Sequence, residues 1–193
     1  MRFKLLQVVG QVKNLYIVAE KEDGLYLVDQ HAAHERVLYE RISDRFERNI
    51  PDVQGLLDPV VVELPTGLSD VLEFQRSTWI RYGFDIEHFG TDAYILRSVP
   101  TALSRLDPTT ILTSLLEEVS HGSVKSSADI VKGIAMSIAC HSSVRAGKKL
   151  AHDEMTNLLA ELEMTRIPGA CPHGRPTMVH ITFDNLERQF GRR

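Results

Sequence analysis

Apolar and polar positions alternate along the opening of this chain and then switch to helical spacing. Residues 2–9 and 12–20, rich in Val, Leu, Ile and Tyr, predict two strands with Gly10-Gln11 between them. Glu22-Asp23-Gly24 predicts a turn and Leu25–Val28 a third strand, an antiparallel meander. A helix over 29–48 follows, with Val37, Leu38, Ile42 and Phe46 as the stripe that pins it to a core. Asn49-Ile50-Pro51-Asp52 breaks that helix.

Composition then resets. A strand is expected at Val60–Leu64 and one helix over Thr66–Tyr82, ended by Gly83. Phe84–His88 and Ala93–Val99 predict a hairpin around Phe89-Gly90-Thr91-Asp92. Pro100 and Pro108 bracket a loop before a short helix, Ile111–Val119, and residues 121–127 make a return linker. Helices over 128–145 and 153–163, a strand at Thr177–Thr182 and a helix at Asp184–Phe190 complete the pattern. The expected class is α+β in two lobes. Residues 1–50 and 126–193 form one lobe from both chain ends, and residues 51–125 form an inserted lobe.

The chain has 193 residues, 43% hydrophobic and 25% charged, the profile of a globular protein. No apolar run reaches membrane-spanning length, and the N-terminal stretch lacks the apolar core of a signal peptide, so a cytoplasmic location is expected. The net charge of −4 confines any nucleic-acid binding to local basic patches. Cys140 and Cys171 read as core residues or metal ligands rather than a disulfide.

Candidate chemistry gathers in three segments. Asp29 stands where an N-cap belongs, and His31 and Glu35 are four apart on one face of the helix it opens. This is a ligand set for a divalent ion, although His and Glu at this spacing also occur on solvated helices. The order H-x-x-H-E fits neither H-E-x-x-H nor H-x-x-E-H, which excludes those zinc-protease helices. Cys171-Pro-His173-Gly-Arg175-Pro sets a thiolate beside an imidazole on a stiff loop; the alternative is a buried Cys and a surface His. Cys140, flanked by Ile138 and Ala139, reads alone as a core cysteine. Together, Asp29, His31, Glu35, Cys140, Cys171 and His173 would suffice for two metals sharing a ligand. Arg145, Lys148, Lys149 and Arg175 lie close to these motifs in sequence and could track a phosphate backbone.

Asp29-Gln-His-Ala-x-x-Glu35-x-x-x-x-Glu40 resembles the D-Q-H-A-x2-E-x4-E motif of the nicking MutL proteins of DNA mismatch repair. Ala139-Cys140-His141 resembles their A-C-R motif, with His141 in place of Arg; Cys171–Pro176 resembles C-P-H-G-R-P, and Phe190-Gly-Arg192 the terminal F-x-R. The resemblance covers the chain from near its start to its end. It lacks the family's N-terminal ATPase domain, so the likeness is to the C-terminal domain.

The resemblance implies an endonuclease that nicks one strand of duplex DNA, with manganese or magnesium as catalyst and zinc at a regulatory or structural site. It also implies a homodimer through the lobe of both chain ends, the ATPase domain and a MutS-type mismatch sensor as partners, and a nucleoid-associated place in a prokaryotic cytoplasm. Asp29, His31, Glu35, Glu40 and Arg175 become the catalytic candidates, with Glu40 either a ligand or a support behind the ligands. Gln54-Gly-Leu56-Leu57-Asp-Pro59 fits Q-x-L-x-x-P, which resembles peptides that dock on the bacterial sliding clamp; the leucines could instead simply begin the strand at Val60. Two rival readings remain. A dimerisation module with structural zinc closed by His31, Cys140, Cys171 and His173 would leave Asp29 and Glu35 without a task. A small-molecule hydrolase fits the basic residues less well.

Overall fold

A computed structural model describes residues 6–48, 50, 52–121, 127–143 and 147–192, with side chains of 127–131 left aside. The fold is α+β, with seven strands in two sheets and seven α-helices among the described residues. The chain divides into two compact units, Met1–Glu40 with Ser143–Arg193, and Arg41–Ser142. Expectations for Arg2–Leu5, Asn49, Pro51, the linker over 122–126, the helix end at 144–146 and Arg193 fall outside the described residues.

The first unit is built on an antiparallel sheet of order β1-β2-β3-β7. Its strands are β1 (Gln7–Val12), β2 (Tyr16–Lys21), β3 (Gly24–Asp29) and β7 (Met178–Thr182). The β1–β2 turn is not at Gly10-Gln11, as the pattern suggested. It lies at Lys13-Asn14, where both residues adopt positive φ (52° and 53°) and Asn tolerates that region well. Gly10 instead marks a bulge within β1, where the register shifts between Val8 and Gly10. The Glu22-Asp23 turn forms where expected, between paired Lys21 and Gly24.

One face of this sheet packs inward. Val8, Ile17, Ala19, Tyr26 and Val28 meet Ala33 and Val37 of α1 (Gln30–Glu47), and Met155, Leu158, Leu159 and Leu162 of α6 (His152–Glu163). The opposite face is also apolar. Val12, Tyr16, Val18, Leu27, Val179 and Ile181 occupy the alternate positions and are half-buried or exposed. A depression of about 330 Å³ on it is lined by Val12, Tyr16, Leu27 and Val179 together with Asp29 and Thr177. The short α7 (Phe183–Gln189) starts at a Thr182 cap, whose hydroxyl accepts the Asn185 N–H at 3.2 Å.

The second unit carries a sheet of order β4-β6-β5: β4 (Val53–Glu63), β5 (Asp85–Gly90) and β6 (Ala93–Pro100). β4 is an edge strand and starts earlier than Val60. Gly55 pairs with Ser98 and Val60 with Leu96, so Leu56–Pro59 arch out as a wide irregularity. The single helix expected over Thr66–Tyr82 is two, α2 (Thr66–Phe74) and α3 (Arg76–Arg81), parted at Gln75. The Gln75 side chain is buried and accepts the Thr78 hydroxyl at 3.3 Å, a local bond that competes with the continuous helix. Gly83, at φ 98°, ends this segment as predicted. Pro108, read as bracketing a loop, is the first residue of α4 (Pro108–His121), a position where its missing N–H costs nothing; Asp107 caps the Thr110 N–H at 2.8 Å. Leu112, Leu115 and Leu116 of α4, Ile134 and Ile138 of α5 (Ser127–Ser142), Trp79 and Phe84 are all fully buried in this unit.

Candidate metal centre

The first unit brings several of the expected ligands to the start of α1. Asp29 Oδ1 accepts the backbone N–H groups of His31 (2.9 Å) and Ala32 (3.0 Å), which is the N-cap its position predicted. Its own N–H donates to the Thr177 carbonyl at 2.9 Å, tying the end of β3 to the entry of β7. One turn on, His31 Nε2 lies 3.2 Å from Glu35 Oε1, and the other ring nitrogen lies 3.1 Å from Ser143 Oγ. A partner on the second nitrogen fixes ring orientation, as it does for metal-bound imidazoles. From the loop before β7, His173 Nε2 comes within 4.0 Å of the same Glu35 oxygen.

Both contacts lie within ion-pair reach, and a carboxylate with two imidazoles is a donor set that would suit a divalent ion. Glu35 is a buried carboxylate, 5% exposed, facing two imidazoles; such a charge needs a cationic partner to be held out of water.

The Cys171–Pro176 loop is held by its own backbone. Cys171 N–H donates to Arg175 O (2.8 Å), Gly174 N–H returns to Cys171 O (2.9 Å), and Ala170 bridges Pro176. Gly174 takes φ 81°, which a side chain would strain. Cys171 is buried under this loop, while His173 and Arg175 are exposed. Arg36, which the sequence pattern did not single out, anchors the loop from α1. Its Nε donates to the Ala170 carbonyl at 2.6 Å, and its other arm meets Glu40 at 3.2 Å. Glu40 is also 3.6 Å from Arg166. Glu40 thus faces two arginines. The available signal was the i,i+4 spacing of Arg36 and Glu40.

Lys148 and Lys149 are exposed, just before α6. The Lys148 ammonium lies 3.4 Å from Glu154, whose other oxygen accepts the Ala151 N–H at 2.7 Å. That N–H first, and Lys148 after it, hold the Glu154 carboxyl below the usual carboxylate range. Arg145 lies outside the described residues. Cys140 belongs to the second unit, near the end of α5, where it is exposed rather than in the core. The helix turns it away from the buried side of Ile134 and Ile138. Next to it, His141 lies 3.3 Å from Glu118, and Glu118 also accepts the Ser137 hydroxyl. Gln54, Leu56, Leu57 and Pro59 all lie on the outward part of β4, with Leu57 99% exposed.

Residues 9–150 match the model of the MutL C terminal dimerisation domain. The chain belongs to that family. It is 36% identical to the DNA mismatch repair protein MutL of Chlorobium phaeobacteroides over 185 residues, covering 96% of this chain and 30% of that protein. Against MutL of Chelativorans sp. it is 39% identical over 185 residues (95% and 30%), and against MutL of Syntrophotalea carbinolica 37% over 191 residues (98% and 30%). The chain therefore spans under a third of the length of these relatives. The family match includes the Asp29–Glu40 segment and Cys140 but stops before the Cys171–Pro176 loop, which the similarity to whole MutL proteins takes in. No helix among the described residues is long and apolar enough to cross a membrane.

Proposed function

We propose that this MutL C-terminal domain is a metal-dependent endonuclease that nicks one strand of duplex DNA in mismatch repair, working as a homodimer. The observation that carries the reading is Glu35 Oε1 shared between His31 Nε2 and His173 Nε2. A purely structural zinc site built from the Cys and His residues leaves this buried carboxylate without a role, which favours the catalytic reading.

Asp29 would offer the carboxylate oxygen that its cap does not use and Glu35 a second carboxylate, hard oxygens that would suit manganese or magnesium. His31, His173 and Cys171 suit zinc, and Cys140 stays a candidate. A bound divalent ion supplies Lewis acidity, lowering the pKa of a water and screening the leaving oxygen of the phosphodiester. Ser143 orients the His31 ring, Arg36 holds the loop that carries His173, and exposed Arg175 contacts the scissile phosphate.

The apolar outer face of the four-stranded sheet supports a second copy of the chain as partner, since such a face costs free energy in water. The Gln54–Pro59 segment on an edge strand, arched from Leu56 to Pro59 and with Leu57 exposed, supports a sliding clamp as another. Weak tethering there raises the local concentration of an acidic domain on DNA. The ATPase domain and a MutS-type sensor complete the expected partners, in the nucleoid of a bacterial cytoplasm. The test is nicking of supercoiled plasmid with manganese by this chain and by Glu35→Ala. Nicking by the first alone supports the reading; equal nicking by both overturns it.

A further inference from the structure

We propose that Gln11 and Gln30 are positioning residues that seat the Lys148-Lys149 segment as a fixed cationic edge for duplex DNA. The inference rests on the nuclease reading above. Gln30 follows Asp29 directly, and its side chain is fully buried at 0% exposure. Its Nε2 donates to the Lys148 carbonyl at 3.1 Å. Gln11, reaching across from β1, donates Nε2 to the same carbonyl at 3.0 Å and to Gln30 Oε1 at 2.5 Å. Its own carbonyl oxygen accepts the Leu150 N–H at 3.1 Å. The backbone is thus gripped on both sides of Lys149 by a pair of amides, one from a strand and one from a helix.

A buried amide is costly unless its polar atoms are satisfied, and here the two amides are satisfied by each other and by the backbone on both sides of Lys149. What the amides add is a defined backbone path. Gly147, at φ 93°, turns the chain into the seat, and Leu150 then enters the core. Both lysines stay exposed above it. The Lys148–Glu154 pair lies between exposed groups, and such a pair exchanges readily for a phosphate contact. Lysines on a fixed stem lose less freedom on binding than lysines on a loose loop. Gln30 also stands between Asp29 and His31 in sequence, so the turn that carries two candidate metal ligands carries the seat as well.

The test is a double-mutant cycle on duplex DNA affinity, read across a salt series. Gln30→Met in the wild-type background is expected to weaken binding about fivefold. In a Lys148→Ala/Lys149→Ala background the same change should have no further effect, and the manganese and zinc contents of Gln30→Met should match wild type. The lysine double variant itself should flatten the salt dependence, by about 0.9 in log–log slope for each phosphate that it no longer neutralises. If Gln30→Met does not fold, Gln11→Met at a half-buried position serves in the same cycle. Equal weakening in both backgrounds, or wild-type affinity in Gln30→Met, overturns the positioning role. A wild-type chain that shows no salt-dependent DNA binding at all would instead overturn the nuclease reading beneath it.

Discussion

Two neighbouring stretches, the entry of α1 with its cap and the turn that follows, use the same residue types in opposite ways. In the first, Asp29 to Glu35, carboxylates face backbone N–H groups and imidazoles. In the second, Arg36 to Glu40, the carboxylate faces two guanidinium groups. An imidazole is a ligand that can share a cation with its carboxylate neighbour; a guanidinium is itself the cation and leaves no room for another. On the proposed reading the first stretch takes the ion, while the second already pairs its carboxylate with two cations. The two are coupled through Arg36, which grips Ala170 at the root of the His173 loop. Carboxylate identity alone does not assign a role; the partner decides.

The largest expected effect is in the first stretch. Asp29→Asn keeps an N-cap of about equal quality. It should leave the unfolding midpoint unchanged while nicking falls by at least about 100-fold, as expected when a ligand charge is lost. Undiminished nicking would take Asp29 out of the ligand set. Glu40→Gln should behave the other way, losing about 1–2 kcal/mol because a nearly buried Arg36 loses its counter-charge. Thermal unfolding should show this as a fall of about 3–6 °C. A Glu40→Gln variant with wild-type stability and no nicking would mean that Glu40 belongs to the first class after all. The smallest effect is at Arg166, 60% exposed, where Arg166→Ala should change stability by at most about 0.5 kcal/mol by denaturant titration.

Much of this site is legible in the chain because its grammar is local. An Asp before a helix, His and Glu four apart, and a Gly that closes a tight loop each depend on a few adjacent residues, and Asp29, His31, Glu35 and Gly174 sit as that grammar requires. Sequence and structure part where distant segments decide. Gly10 fits a turn or a bulge equally well, and only its register against β2 makes it a bulge. The α2–α3 break has neither Gly nor Pro and depends on a buried Gln75. Cys140 is flanked in sequence by core residues yet lies on the exposed side of its helix. The grip of Gln11 and Gln30 on Lys148 joins β1, α1 and the entry to α6, a convergence that spacing along the chain does not reveal.

The contrast between the two stretches can be measured without any assay of activity. Manganese binding is titrated by calorimetry to the intact chain, to Glu35→Gln and to Glu40→Gln under one buffer. Glu35→Gln is expected to weaken binding by at least about tenfold, the lower range for disturbing a metal site, while Glu40→Gln stays within about twofold of wild type. Equal affinities in Glu35→Gln and wild type, or a larger loss in Glu40→Gln, would contradict the assignment of the ion to the first stretch.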